Sequence, residues 1–112
     1  MKLAIPMADG KLATHFGHCA EFALLEADEA KKTVVSKTVV EPPPHEPGLL
    51  PRWLAEKGVT VVIAGGMGMR AQQLFAEKGI RVVTGAPADD VEAIADAFLK
   101  GTLKTGENAC AH

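Results

Sequence analysis

The stretch Thr14-His15-Phe16-Gly17-His18-Cys19 puts two imidazoles, a thiol and a glycine within six residues. His45 sits in a second polar stretch, and Asn108, Cys110 and His112 form an N-x-C-x-H tail. Imidazole ligates Cu, Zn, Fe and Ni, and thiolate the softer of these, with no fixed sequence separation when separate loops supply the ligands. Taken singly, each histidine reads first as a surface or hydrogen-bonded residue, and Cys19 as compatible with a buried strand-entry position; the ligand reading gains from several of them meeting on converging loops. A third feature, Gly65-Gly66-Met67-Gly68-Met69-Arg70-Ala71, joins an apolar run to a helical pattern. Its Gly66-x-Gly68-x-x-Ala71 spacing partly matches a dinucleotide fingerprint. The match is incomplete, because the next strand ends in Thr84 where a ribose-binding acid belongs, and no G-K-[ST] follows. What remains is a set of backbone N–H groups at a strand's carboxyl end, where open α/β sheets bind ligands and where anions are favoured.

These groups need elements to hold them. Lys2 to Met7 reads as a buried first strand stopped at Ala8-Asp9-Gly10. Glu21 to Ala27 and Thr33 to Glu41 read as a hairpin turning through Asp28 to Lys32. Pro42 to Gly48 cannot continue a strand, since consecutive prolines remove ladder donors. Leu49, Leu50, Trp53 and Leu54 recur at helical spacing, with Pro51 tolerated in the first turn, Gly58 as the stop and Trp53 as a core anchor. Val59 to Ala64, Met69 to Lys78 and Ile80 to Thr84 form a βαβ unit, with Leu74 and Phe75 facing inward. Val91, Ile94, Ala95, Phe98 and Leu99 mark a final helix, with Asp89 and Asp90 at its start and Gly101 past its end. The expected fold is therefore a single α/β domain with a five-stranded mixed sheet, about three helices and a polar, loosely held tail from about Thr102 to His112. If the first and fourth strands are parallel neighbours, the loop from Asp9 to Cys19 lies beside the Gly-rich loop. His15, His18, Cys19, Lys11 and Arg70 then share one mouth, which the Pro-rich loop with His45 and the N-terminus of its helix face.

Composition limits the function. The 112 residues are 47% hydrophobic and 23% charged, enough for one domain with its own core. A net charge of -2, with scattered Lys and Arg, disfavours nucleic acid as a partner. No apolar run approaches the roughly 20 residues of a membrane span, and the start resembles no signal peptide, so a cytoplasmic location is expected. The 2 cysteines are expected to be free thiols rather than a disulfide framework. No carboxylate pair or nucleophile-base pair stands out, leaving an enzyme little support. A small regulatory domain binding a nucleotide or phosphate metabolite through Gly65 to Gly68 is the alternative to a metal-binding protein.

The first strand with its H-F-G-H-C loop, H-E-P-G-L-L-P-R-W-L, V-V-I-A-G-G-M-G-M-R-A and G-x-L-x-x-G-E-N-A-C-A-H together resemble the dinitrogenase iron-molybdenum cofactor-binding domain family of NifX-like and NafY-like proteins. The resemblance covers nearly the whole chain. It implies a ribonuclease H-like-motif fold without nuclease chemistry, and a protein that binds or carries metal-sulfur clusters. The segment around His45 and Trp53 looks most like the stand-alone branch that includes the orange protein, which implies a non-covalent molybdenum-copper-sulfide cluster; an iron-molybdenum-type cluster is the other cargo the family suggests. On this reading His15, Gly17, His18, His45, Gly65, Gly66, Met67, Gly68 and Arg70 bind the cofactor, and His15, His18, Cys19, His45, Cys110 and His112 are candidate metal ligands. A cluster donor or acceptor protein is the implied partner, and the chain is expected to be a monomer or weak homodimer.

Overall fold

The computed structural model describes residues 1–13, 16, 20–43 and 48–106. Its elements run β1 (Lys2–Ala8), β2 (Lys11–Leu12), β3 (Glu21–Asp28), β4 (Thr33–Val40), α1 (Leu49–Glu56), β5 (Val61–Ile63), α2 (Met69–Glu77), β6 (Arg81–Val83) and α3 (Val91–Lys100). The sheet order is β4-β3-β1-β5-β6, with β2 added beside β1. β1 pairs antiparallel with β3 and parallel with β5, so the first and fourth strands read from the sequence are neighbours as expected.

The expected strands are all present, and a sixth appears inside the first loop. Asp9 and Gly10 both take positive φ, 55° and 81°, and bring Ala8 opposite Lys11. Two left-handed residues in a two-residue connection are what a tight hairpin turn needs, and Asp-Gly is a favoured pair for it. The stretch read only as a strand stop therefore starts a hairpin. The turn from Asp28 to Lys32 follows the sequence reading: the Asp28 carboxylate accepts from the N–H groups of Ala30 and Lys31, at 2.9 and 3.1 Å.

Two apolar layers cover the sheet. On one face, α3 contributes Val91, Ile94 and Ala95 to a cluster with Leu3, Ile5, Leu25, Val61 and Ile63. On the other, Leu50 and Leu54 of α1 and Phe75 of α2 pack with Ala4, Phe22, Leu24 and Val62. The alternation of Leu3 and Ile5 with Ala4 sends neighbouring β1 side chains to opposite faces, as strand geometry requires. Trp53 is a partly buried anchor, edge-on to Phe22 with ring centres 5.8 Å apart and with the Lys57 ammonium 5.0 Å above its ring. Phe75 faces inward as expected, whereas Leu74 is only half-buried.

All three helices start at the same end of the sheet. The Lys2 ammonium donates to the carbonyl of Lys57, at the C-terminal end of α1, so this end lies where β1 begins. Likewise Ile80 closes onto the Phe75 carbonyl of α2 and Arg81 onto that of Thr60, placing the end of α2 where β5 and β6 begin. The helix N-termini therefore sit at the carboxyl ends of the parallel strands.

Candidate functional site

The carboxyl end of the sheet is closed by three loops tied to one another through their backbones. Ala13 donates to the carbonyl of Pro6 at 2.8 Å, and Leu12 to that of Asp89 at 3.0 Å. Phe16 donates to Gly66 at 2.8 Å, and Gly85 to Gly65 at 2.6 Å. The register of β1 with β5 stops at Ala4, and Pro6, which has no N–H, lies beyond the last paired residue. The first loop crosses the end of the sheet there. Its Leu12 belongs to the α3-side cluster and its Phe16 to the α1/α2-side cluster.

Phe16 is the residue that sequence reasoning passed over. It is 7% exposed and packs edge-on against both Phe22 and Phe75, at 5.8 and 5.5 Å between centres. Such aromatic pairs stabilise by about 0.5–1.5 kcal/mol each beyond the area they bury. An apolar ring within an otherwise polar six-residue stretch is the available signal, and the buried ring anchors the loop. His15, Gly17, His18 and Cys19 lie outside the described residues, as do His45, Cys110 and His112.

The structure separates the roles of the Gly-rich loop. Gly65 and Gly66 are buried, and their carbonyls accept from Gly85 and Phe16. Met67 is 1% exposed and part of the core on the α1/α2 face, and its carbonyl accepts from the Gln72 side-chain amide at 2.9 Å. Its side chain therefore packs, leaving its backbone to face the loop. Gly68 differs from all of these. It is exposed and N-caps α2 at φ −66°, ψ 155°, and a Cβ placed there would meet nothing within 4 Å. Neither its conformation nor its packing demands glycine. Arg70 is exposed in the first turn of α2, and Lys11 is exposed on β2, bridged to Asp90 beside the start of α3. The two cations expected at one mouth border it from opposite faces of the sheet.

The helix starts differ in charge. α3 begins with Asp90 as N-cap and Glu92 in its first turn, and the Asp89 carboxylate accepts from the N–H of Asp90 at 2.8 Å. Its positive end is met by its own acids. In contrast, α1 and α2 are capped by Gly48 and Gly68, with no side-chain cap bond and no acidic residue in the first turn. The first N–H groups of a helix have no partner within it. Two such ends on one side of the sheet carry roughly half a positive charge each, which favours an anion.

Among the described residues, no three His, Cys, Asp or Glu side chains are grouped to hold a metal ion, and no helix is long and apolar enough to cross a membrane.

Comparison with known proteins agrees with this architecture. A solved protein designated PH0822 superposes with a TM-score of 0.84 at 33% identity, over 94% of each chain. The apo form of the orange protein from Desulfovibrio gigas shares the fold, with a TM-score of 0.71 at 24% identity over 96% of this chain and 93% of that one. An uncharacterized protein of Methanocaldococcus jannaschii is 29% identical over 110 residues, 96% of this chain and 92% of the relative. The family profile described as dinitrogenase iron-molybdenum cofactor matches residues 1–101. With that match over most of its length, the chain belongs to the dinitrogenase iron-molybdenum cofactor family, whose cofactor-binding theme suits a sheet end bearing two glycine-capped helix N-termini with no acidic residue in the first turn.

Proposed function

We propose that this protein binds and carries an anionic metal-sulfur cluster at the carboxyl end of its sheet, as a carrier rather than a catalyst, holding it without a covalent bond to the scaffold. The observation that carries the reading is the pair of glycine-capped, acid-free N-termini of α1 and α2 beside an exposed Gly68. Molybdenum-sulfide clusters are anions, and amide N–H groups with nearby cations suit them even in a chain of net charge -2, because the local field governs the contact. Each helix end contributes about 0.3–1 kcal/mol to holding an anion at an exposed site, and up to about 2 kcal/mol when partly buried. That is too little for tight retention, so side-chain donors are needed. His15, His18 and His45 are the proposed donors or ligands, with Gly17 and the Gly65, Gly66, Met67 and Gly68 backbone admitting the cluster and Arg70 balancing its charge. Cys19, Cys110 and His112 are the further proposed ligands. The cargo proposed is a molybdenum-copper-sulfide cluster or one of the iron-molybdenum type, received from or passed to a partner protein in the cytoplasm.

Addition of tetrathiomolybdate and then a copper salt to the metal-free protein tests this. A coloured, stoichiometric species that survives gel filtration is expected, with weaker uptake of copper or molybdate alone. The double change His15→Ala, His18→Ala should reduce retention while leaving the fold intact. Full retention by that variant overturns the histidine assignment. Thermal stabilisation by a nucleotide or inorganic phosphate, without thiomolybdate uptake, favours the phosphate-binding alternative at the same N–H groups.

A further inference from the structure

β4 is the last strand on its side of the sheet, and among the described residues no strand pairs with its outer edge. A row of free N–H and C=O groups is a template for another strand, so natural sheets shorten, charge or bulge their edges. β4 is not short: it runs for 8 residues, of which all but Ser36 and Lys37 are valine or threonine, types that favour extended structure. Three large apolar side chains are exposed among the described residues, Val35 at 67%, Val39 at 41% and Met69. Two of them lie on this one strand. Single exposed valines are ordinary, so their placement carries more meaning than their exposure.

That placement is symmetric. Val34-Val35-Ser36-Lys37-Thr38-Val39-Val40 reads almost the same in both directions about Lys37, with serine and threonine as the one exchanged pair. When two antiparallel strands pair, residues directly opposite share a face, so a twofold axis between two copies must pass where a residue meets its own counterpart. With the axis at Lys37, Ser36 of each copy meets Thr38 of the other and Val35 meets Val39. The two exposed valines therefore cover each other. The register of β4 with β3 skips Val35 at a bulge, which limits the new ladder to Val35 through Val39, about 17 Å of strand. Charge is the obstacle, because like charges directly opposite destabilise a pair and a lysine normally blunts an edge. Here Lys37 already pairs with Glu92 of α3, and both side chains are partly exposed. Since both copies present the same face, the two lysines and two glutamates would gather beside the axis with no net charge.

We propose that two copies of this protein pair antiparallel along β4, about a twofold axis at Lys37, and join their sheets into one. The opposite edge, β6, is only 3 residues long, so the pairing closes as a dimer and does not propagate. β1 and β4 are each antiparallel to β3 and so run the same way. Reversing β4 in the second copy reverses its β1 as well, and the two sheet ends proposed to hold cargo face away from each other, both open. The contact is small beside the roughly 800 Å² per partner of a standard interface, so the dimer is weak and reversible, with a Kd of about 10 μM to 1 mM. It depends on no assignment of the cargo.

Sedimentation equilibrium of the metal-free protein from about 10 μM to 1 mM tests this. The parent should pass from monomer to dimer across that range. Val35→Lys and Val39→Glu should each weaken association about tenfold, because twofold symmetry repeats each change at two contacts. The combined variant Val35→Lys/Val39→Glu should recover the dimer, since the ammonium introduced in each copy then faces the carboxylate introduced in the other. Within one strand the two positions lie about 13 Å apart and cannot rescue each other, so recovery reads the register between copies. Glu92→Gln should weaken association about threefold at low salt by leaving two lysines opposed, and Lys37→Ala/Glu92→Gln should restore it. These two variants decide the matter should either valine variant fail to fold. A parent that stays monomeric throughout overturns the proposal. So does a dimer indifferent to both single valine changes, a combined variant no better than the singles, or association unchanged in Glu92→Gln.

Discussion

Gly68→Ala separates a glycine needed by the fold from one needed by a ligand. At φ −66° and ψ 155° the backbone suits alanine, and the added methyl meets nothing within 4 Å. Replacing glycine at such a position stabilises by about 0.4–1 kcal/mol, because the unfolded chain has less freedom to lose. Against this, Gly68 is the N-cap of α2, a position where alanine is poorer than glycine by about 0.5–1 kcal/mol. The two effects nearly cancel, leaving a net change within about 0.5 kcal/mol. For a domain of this size, about 4 °C of melting temperature corresponds to 1 kcal/mol, so a shift of no more than about 2 °C is expected. A cluster held against the first-turn N–H groups of α2 would meet the new methyl, and the larger Gly68→Leu would obstruct it further. Retention of the thiomolybdate-copper species should fall in the order glycine, alanine, leucine, while the melting temperature of the metal-free proteins stays nearly level. A drop of more than about 8 °C in Gly68→Ala, equivalent to about 2 kcal/mol, refutes the premise that the fold does not need this glycine. Undiminished retention in both variants refutes close approach at Gly68.

Other outcomes follow from the same geometry. Phe16→Ala removes a buried ring packed against two others and should cost about 3–5 kcal/mol, seen in denaturant or thermal unfolding, with Phe16→Leu costing distinctly less. Deleting Asn108 to His112 should leave the metal-free melting temperature nearly unchanged, because the hydrogen bonds of residues 102–106 stay in place. Glu92 of α3 pairs with Lys37 of β4, and this hydrogen bond, aided by a backbone one, holds its carboxyl below the usual glutamate range. A carboxylate with a lowered folded-state pKa adds stability above its unfolded pKa and loses it as pH falls through the folded value. Because the pair is exposed, Glu92→Gln should cost no more than about 0.5 kcal/mol at neutral pH. The difference from the parent should vanish in thermal melts at acidic pH. His45→Ala should weaken thiomolybdate-copper retention at an unchanged melting temperature if the Pro-rich loop faces the mouth.

Local pattern carried much of this protein. The 3.6-residue repeat of Val91, Ile94, Ala95 and Phe98 marks α3 because one helical stripe must be apolar to meet the sheet, and the short apolar run Val61–Ile63 marks a strand buried on both faces. Glycine at 58 and 101 ends helices because each takes a left-handed conformation there. The Asp9-Gly10 hairpin was also readable, since both residues of that turn need positive φ and the pair is suited to it. Other features depended on residues distant in sequence. That Phe16 anchors its loop depends on Phe22 and Phe75, brought beside it by β3 and α2. That Met67 packs while Gly68 stays open depends on which side of the loop the core of the α1/α2 face occupies. Nor could composition reveal that Gly85 must be glycine, because the atom that excludes a Cβ belongs to Gly106, twenty-one residues onward. Hydrophobic periodicity is a property of neighbours along the chain and can be read from it; gathered helix ends and close backbone contacts are properties of neighbours in space, and only the folded sheet brings them together.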